Sequence, residues 1–415
     1  YNLVDQIFIG HGVGYLGNAA TNVVFPFVTL GLAVSLMVSV GTAANVGLNL
    51  GKGDQKQANR ILGNGISLAL IMGTMILMPL LKLFGATETV LPYAVEYGRI
   101  YLMGILFTTV GIITSDLIRA DGDPGYAMLM MLAGAVINII FDPLFIFVMK
   151  WGVAGAAIAT IRGQFFTMVL GLLRIRKLRT LQFEKANMKP DLKLFTGIMT
   201  LGLSTFLTQM AAMVQQIVMN QQTIRYGAMS KYGADIPLTV FGIVGKINGL
   251  MFAFILGIAV GTQPLFSFNY GAAKYDRVKQ LVRTTLIACV SIGFVCMLGL
   301  QIFPSQIISV FGQESELYNE FAVMCLKNMT ILIFVMGVQI VAGSYYQAVG
   351  KPMGATILSL SRQIIFLIPL LMIMPVFLGL KGVMWSFPVS DFASVVLGAV
   401  MLSKEMKVLN KLMKN

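Results

Sequence analysis

Long apolar stretches, broken by short polar loops, recur along this chain at nearly regular intervals. Because about 20 apolar residues cross a bilayer as a helix, each stretch predicts one transmembrane span. The segment at 1–10 is shorter and predicts only the end of a helix. The remaining predicted spans are 20–48, 57–83, 92–119, 125–149, 153–177, 194–225, 236–267, 278–303, 317–348, 353–377 and 383–403. The pattern predicts an all-α polytopic membrane protein with twelve spans, the first of them truncated.

The two halves of the chain repeat the same polar motifs in the same order. VGTAANVGLNLGKGD at 40–54 aligns with VGTQPLFSFNYGAAK at 260–274, a constant offset of 220. Further on, ADGDP at 120–124 matches AVGKP at 348–352. Because each half holds an even number of spans, both halves enter the membrane from the same side and the repeat is parallel. If the repeat extends to its start, about 27 residues are expected before Tyr1.

This repeat predicts two six-helix bundles related by a parallel pseudo-two-fold axis. We place the first in residues 1–188, which include a connector after the sixth span, and the second in 189–415. The connector, RIRKLRTLQFEKANMKPDLK at 174–193, is polar and rich in lysine and arginine. It is the only stretch that reads as a linker between the two halves.

Composition and charge narrow the class of protein. With 57% hydrophobic and 11% charged residues among 415, the chain is too apolar for a soluble domain of this size. The net charge of +13 falls in the loops between spans, so it does not form a basic patch for nucleic acid. Assigning the connector to the cytoplasm puts most other basic loops on that side. We therefore expect a multi-pass protein of the cell membrane with its connector and C-terminus in the cytoplasm.

The chain offers few groups for catalysis or cofactor binding. Its three cysteines lie in apolar segments, and it has a single histidine. Neither pattern indicates a disulfide framework, a zinc site or a haem. With no nucleophile or metal set to point to, we expect a protein that is not an enzyme and that has no cofactor other than a transported ion.

The main candidate site lies in AVINIIFDPLFIFVMKWGVAGAAIAT at 135–160. Asn138 and Asp142 are four residues apart, so they share one face of a helix. Pro143 lacks an N–H, which predicts a kink or opening beside the acid. Thr160 is as far after the turn at Trp151 as Asp142 is before it, which predicts equal depth. A charge at mid-bilayer costs on the order of 3 kcal/mol, so Asp142 is a functional candidate, although it could instead bond backbone groups freed by Pro143.

A second embedded acid could complete this site. Asp5 lies inside the first apolar segment. If it approaches Asn138, Asp142 and Thr160, two carboxylates share a partly dehydrated pocket and should bind a proton or a small hard cation. Asn and Thr oxygens could complete a shell for Na⁺, whereas H⁺ needs only the carboxylates. These residue types do not choose between the two ions, and Asp5 could alternatively brace the next helix.

Other embedded polar residues admit both a functional and a structural interpretation. They could line a cavity or form a charge network, or they could brace helices and extend to the membrane surface. For Asp391, which follows Pro388, we favour the structural role. The residues in this group are Tyr97, Arg162, Lys246, Arg362 and Asp391.

The sequence resembles the multidrug and toxic compound extrusion (MATE) transporters over essentially its whole length. The matching motifs are NLVDQIFIG at 2–10, NLGKGDQKQA and NYGAAKYDRV, ADGDP, NIIFDP at 138–143 and GVAGAAIAT at 152–160. The resemblance implies two lobes around a central cavity and export of a drug or metabolite in exchange for H⁺ or Na⁺.

The resemblance also implies positions for the coupling site. The DinF-like branch carries its cation site in the N-lobe, on residues that match Asp5, Asn138, Asp142 and Thr160 here. The NorM-like branch uses acids on the seventh and tenth helices, where this chain has no acid but Gln209, Gln215, Gln216 and Gln339. This departure favours DinF-like coupling.

Our first hypothesis is therefore an antiporter, coupled to H⁺ or Na⁺, that exports amphipathic cationic organic compounds by alternating access. Its partners would be the small-molecule drug and the lipid bilayer, with no nucleic acid, and we expect a monomer. A second hypothesis keeps the superfamily but makes the cargo a lipid-linked saccharide or a specific metabolite. Such flippases should line their cavity with many basic residues, and few embedded cations are present. A channel is disfavoured because it has no need of two unlike lobes with a one-sided acid site, and a membrane-embedded enzyme because it would show a nucleophile or metal set.

Overall fold

A computed structural model of the chain describes residues 8, 15–80, 91–309 and 315–413, with the side chains at 15–27, 75–80, 91–99, 101 and 102 left out. Within this part of the chain all regular structure is helical, which confirms the predicted all-α class. Nine of the described helices are long and apolar enough to cross a membrane. The chain divides into two compact units, unit 1 (Tyr1–Met210) and unit 2 (Ala211–Asn415). A boundary after residue 188 stays a prediction.

Unit 1 contains five described helices and the beginning of a sixth. The fourth helix continues into a π-helical turn, Leu144–Val148, and a short 3-10 turn, Lys185–Met188, lies in the connector. The α-helices are α1 (Tyr15–Gly51), α2 (Gln55–Leu80), α3 (Leu91–Ala120), α4 (Pro124–Pro143), α5 (Gly152–Ile175) and α6 (Leu192–Ala228). The core of the unit packs α2 against α1, α3 and the connector, around residues such as Leu62, Ile113 and Leu181.

Unit 2 contains the end of α6 and eight further described helices. One of its segments changes from α to π and back to α within a single span, at Ser361–Leu367. The α-helices are α7 (Asp235–Gly271), α8 (Tyr275–Ile302), α9 (Pro304–Ser309), α10 (Glu316–Thr330), α11 (Met336–Ala348), α12 (Pro352–Leu360), α13 (Ile368–Leu378) and α14 (Leu380–Leu412).

The structure reproduces the register of the sequence repeat. Helix α2 begins at Gln55 and α8 at Tyr275, which are 220 residues apart, and the helices before them end at Gly51 and Gly271. In both units the short loop between these helices follows the repeated glycine. The two halves therefore repeat the helix boundaries as well as the amino-acid motifs.

One predicted span differs from the structure. The apolar run at 317–348 predicts a single helix, but the chain forms α10 and α11 with a turn between them. In the turn, the amides of Ile333 and Val335 bond carbonyls three residues back, so the α-helical pattern is lost. The side chain of Gln301 on α8 donates to the carbonyl of Lys327 at 2.8 Å, and it thereby satisfies an acceptor near the end of α10. This tertiary contact is invisible to a hydropathy pattern.

The connector packs against unit 1, because a buried carboxylate accepts hydrogen bonds from its backbone. Asp121, between α3 and α4, is 4% exposed. It accepts hydrogen bonds from the amides of Arg179, Thr180 and Leu181 at 2.5, 2.8 and 3.0 Å, and from the Thr180 hydroxyl at 2.5 Å. Charge-assisted bonds of this kind are the stronger class of hydrogen bond. The connector therefore belongs structurally to unit 1.

Polar side chains on α2 hold the rest of the connector. Asn59 accepts from the amide of Gln182 at 2.9 Å. Asn64 donates to the carbonyl of Asn187 at 3.0 Å and accepts from the amide of Asp191 at 2.9 Å. Further along, the Ser67 hydroxyl donates to the carbonyl of Met188 at 2.7 Å. The hydrophobic side chains of the connector pack into the same core, at Leu181, Phe183 and Met188.

The loop between α3 and α4 carries a second acid, Asp123, whose ionised form has several partners. Partial desolvation acts to raise the pKa of Asp123, but the Tyr126 amide and the guanidinium groups of Arg174 and Arg179 outweigh it and hold that pKa below its ordinary value. Asp123 bonds Arg174 at 2.5 Å and caps α4 through Tyr126. A carboxyl with a lowered folded-state pKa stabilises the protein above its unfolded pKa, and this contribution is lost as pH falls through the folded value.

We therefore expect Asp123→Asn to lower the Tm of the purified protein at neutral pH. The asparagine can still cap α4, so the change isolates the charge. Below the ordinary Asp pKa of about 3.9 the difference from wild type should shrink, because the unfolded wild-type chain then binds a proton at Asp123 more readily than the folded one does. Thermal unfolding of both proteins in detergent, from pH 3 to pH 7, measures this. A Tm difference that stays constant over the whole range contradicts the expectation.

Candidate functional site

The candidate site lies where α4 and α5 cross in close contact. The crossing depends on Gly134 and Gly163, because a Cβ added to Gly163 would lie 2.5 Å from the Gly134 carbonyl oxygen and 3.2 Å from the Asn138 Cβ. Close approach of this kind is typical of small residues at membrane helix contacts. Thr167 adds a polar link, since its hydroxyl donates to the carbonyl of Met130 at 3.3 Å. The backbones are therefore near enough for short side chains to meet.

Two of the predicted site residues meet at this crossing. The Asn138 side-chain amide donates to the Thr160 hydroxyl over 3.4 Å, and Thr160 donates to the carbonyl of Ala156 at 3.1 Å. Asn138 is 1% exposed and Thr160 2%. The Asn138 carbonyl oxygen is buried and has no hydrogen-bond partner among the described residues. This arrangement leaves an amide oxygen and a hydroxyl oxygen close together inside a membrane span.

Asp142 lies one helical turn beyond Asn138 on the same buried face and is fully buried. Pro143 follows, and the backbone then changes to a π-helical turn, Leu144–Val148. The amide of Met149 bonds the carbonyl of Leu144, five residues back, at 2.9 Å. Because a proline lacks an N–H and crowds the preceding turn, the helix widens beside the acid. The predicted kink takes this form.

Gln164 is a further buried polar residue next to the site, which the sequence reasoning missed. It lies one turn after Thr160 on α5 and is 7% exposed. Both polar atoms of its amide are buried without a hydrogen-bond partner among the described residues. Its spacing of four from Thr160, in an otherwise apolar span, was the signal that could have found it. The site therefore extends along α5 toward Gly104 on α3, which packs against the Gln164 side chain.

Aromatic rings surround the widened turn. The Arg162 guanidinium carbon lies 5.1 Å from the Phe141 ring centroid and 4.7 Å from that of Phe145, on either side of Pro143. Cation–π contacts of this kind hold an arginine against apolar surface. On the other side of the turn, Phe147 makes an edge contact with Phe8, with ring centroids 6.1 Å apart.

The remaining predicted residues are distributed as follows. Arg362 and Asp391 form an ion pair in unit 2, with the Arg362 Nε 2.7 Å from the carboxylate, and Asp391 is 2% exposed. Ser390 donates to the Arg362 carbonyl at 2.7 Å. Lys246 is exposed on α7. Two predicted side chains lie outside the described set: that of Tyr97, whose backbone is part of α3, and Asp5, which falls wholly outside the described residues.

Comparison with known proteins gives one family and a consistent set of relatives. The MatE family model matches residues 1–144 and 209–373. The multidrug export protein MepA of Staphylococcus haemolyticus is 26% identical over 409 residues, covering 94% of this chain and 86% of its own. MepA of Staphylococcus aureus strain MRSA252 is 24% identical over 402 residues, with the same coverage of both chains.

Solved structures share the fold. A MOP superfamily transporter from Pyrococcus furiosus superimposes with a TM-score of 0.91 at 22% identity, over 99% of this chain and 92% of that one. An outward-facing multidrug resistance MATE family transporter superimposes with a TM-score of 0.93 at 22% identity and the same coverage. MATE transporters have twelve membrane helices in two bundles, and the match confirms the predicted fold class.

Proposed function

Since the chain belongs to the MatE family, we propose that it is a multidrug efflux transporter that exchanges amphipathic cationic organic compounds for H⁺ or Na⁺. The Staphylococcus relatives carry the name multidrug export protein, which supports drugs as the cargo. The chain is a multi-pass membrane protein. We propose further that it is a monomer of the cell membrane, with its connector and C-terminus in the cytoplasm, as the positive-inside bias indicates.

The observation that carries the coupling proposal is the complete burial of Asp142 inside a membrane span, on the same face as Asn138 and one turn away from it. An acid in that place is costly unless it binds a proton or a cation or pairs with another group. Asn138 and Thr160 add neutral oxygens next to it, which are suitable ligands for Na⁺. Either ion would neutralise the acid, and the site therefore suits an ion that is taken up and released in each cycle.

Asp5 is the second acid of the proposed site. The support comes from its neighbour along the chain: Phe8, three residues later, packs its ring against Phe147 in the π-helical turn next to Asp142. A second carboxylate near Asp142 would disfavour the doubly charged state and so raise the affinity of the pair for one cation or proton.

The widened turn after Pro143 is the proposed moving part. Single π-helical turns inside α-helices are rare and are often found at functional sites, and this one directly follows Asp142 and Pro143. Loading Asp142 with an ion alters the charge beside that turn. We propose that this change biases the equilibrium between inward-open and outward-open states, which is what coupling requires.

The proposal is tested with purified protein in liposomes and a panel of cationic dyes. Dye uptake into vesicles should accelerate under an imposed gradient of pH or of Na⁺, applied one at a time in the direction that drives exchange. The same vesicles without a gradient, and vesicles in which an ionophore has dissipated it, give the background rate. An uptake that is equal in all of these conditions would overturn ion coupling, and the ion whose gradient accelerates uptake is the coupling ion.

A further inference from the structure

A groove lies in unit 2 between α8, α11 and α14. Its volume is about 660 Å³. It is at the end of the spans where α8 begins and α14 ends, and its lining includes exposed residues such as Ile287 and Ala399. A cavity of this size accommodates a small amphipathic molecule or one end of a lipid.

The mouth of the groove is cationic. Lys279 and Arg283 lie one turn apart on α8 and both line it. The Lys279 ammonium donates one hydrogen bond to the Asn410 side chain at 2.7 Å, which leaves it further N–H groups for a ligand. Among the described residues that line the groove there is no carboxylate. An anionic group would therefore meet two positive charges and no negative one.

Apart from Gln280, Ser403 and the two cations, the residues that line the groove are apolar. The apolar wall is formed by Val282 and Leu286 on α8, Val338 on α11, and Leu402 and Met406 on α14. Val282 and Leu402 are buried in the neighbouring core, so the wall is fixed by packing. The groove thus has a charged mouth and an apolar interior.

The sequence repeat shows what covers the equivalent surface in unit 1. The offset of 220 equates three positions on α2 with three on α8: Asn59 with Lys279, Gly63 with Arg283, and Ser67 with Ile287. In unit 1 this surface is covered by the connector, which bonds Asn59 and Ser67 and packs Asn187 against Gly63. The surface of α8 is left as a groove in unit 2.

The substitutions between the two surfaces change the kind of occupant. The asparagine and serine that bond the connector backbone are replaced by a lysine and an isoleucine, and the glycine that admits its close approach is replaced by Arg283. A polypeptide would lose its hydrogen-bond partners there and meet a bulky cation. A molecule with an anionic head and an apolar tail can contact the two cations with its head and the apolar lining with its tail. Basic pockets between membrane helices bind anionic lipid head groups in this way.

We propose that this groove binds an anionic phospholipid. The phosphate lies between Lys279 and Arg283, and an acyl chain follows the wall of α8, α11 and α14. The lipid takes the place that the connector holds in unit 1, and it packs against the outer surface of unit 2. This site is independent of the ion bound at Asp142.

The test uses delipidated, detergent-purified protein titrated with dioleoylphosphatidylglycerol, and bound lipid is counted by native mass spectrometry. We expect Lys279→Gln/Arg283→Gln to weaken binding about ten-fold, because each basic contact to an anionic lipid contributes several-fold in affinity. Ala399→Trp, which fills the groove and keeps both charges, should weaken binding as well. Dioleoylphosphatidylcholine has the phosphate and the acyl chains but no net charge, and inorganic phosphate has the charge but no acyl chain, so both should bind more weakly than the anionic lipid.

The matched control is Arg277→Gln/Lys407→Gln, which removes two exposed charges from the same helices outside the groove and should leave lipid binding unchanged. Monodispersity and Tm report whether each variant is folded, and if the charge variant does not fold, the groove-filling variant decides. The proposal is overturned if both groove variants bind the anionic lipid as wild type does. Phosphatidylcholine binding as tightly as phosphatidylglycerol, or an equal loss in the control, would overturn it too.

Discussion

Asp142→Asn is expected to reduce gradient-driven dye uptake in proteoliposomes to the rate measured without a gradient. The amide keeps the size of the carboxyl group but can neither bind a proton in this pH range nor carry the charge that attracts Na⁺. Folding should not suffer, because the change removes an embedded charge whose insertion costs on the order of 3 kcal/mol. Uptake, Tm and gel-filtration profile are measured on the same preparation. Asp5→Asn should give the same loss of uptake.

The matched control is an embedded pair in unit 2. Arg362→Gln/Asp391→Asn removes a second buried acid together with its 2.7 Å partner and leaves the net charge unchanged. Because the pair goes as a unit, no unpaired charge is left behind. This variant should retain gradient-driven uptake. Wild-type uptake by both Asp142→Asn and Asp5→Asn would refute the assignment. If the control variant lost as much gradient-driven uptake as Asp142→Asn, the loss would not be specific to the proposed site.

The largest effect on stability is expected from Asp121→Ala. The substitution removes the acceptor of three backbone amides and one hydroxyl of the connector. Buried donors left without partners, with a charged acceptor lost, lower the free energy of unfolding by about 3 kcal/mol. The connector should open locally before the rest of unit 1 unfolds, because its 179–181 segment loses the hydrogen bonds to Asp121. The measurement is the Tm in detergent together with the rate of tryptic cleavage at the exposed Arg176, Lys177 and Arg179.

Glu184→Ala is the control for this prediction. It also removes one acid near the middle of the connector, but the Glu184 side chain is exposed and accepts a long hydrogen bond from Asn187, at 3.4 Å. It should change neither the Tm nor the cleavage rate appreciably. If Asp121→Ala unfolds and is cleaved like the wild type, the connector does not depend on Asp121 for its attachment.

Much of the fold could be predicted because membrane spans are a local property of the sequence. Every predicted span from 92–119 to 278–303 corresponds to a described helix, and Trp151 does lie in the turn before α5. The exception at 317–348 arises from packing: the run of apolar residues is continuous, but the helix ends at Thr330 because its last carbonyls and the turn find other partners. Hydropathy measures the transfer of side chains into lipid and contains no information on which group bonds a backbone carbonyl.

The site could be predicted in part for a similar reason. Asn138 and Asp142 share a helix, so their spacing alone puts them on one face, and the equal distance of Thr160 from the turn placed it at the same depth. The closeness of Asn138 to Thr160 depends on the contact of Gly134 with Gly163, which a single helix cannot reveal. Gln164 shares a helix face with Thr160 by its spacing of four, but its burial against Gly104 of α3 depends on helix packing.

The sequence by itself determined the order of the apolar spans, the repeat that divides them, and an acid, an amide and a proline close together in one span. These features depend on residues near each other along the chain. Only the tertiary structure decided that the connector is held by Asp121, that Arg362 pairs with Asp391, and that the Asn138 side chain meets Thr160. Each of these depends on which partners other helices bring to a group, and that choice is made by packing.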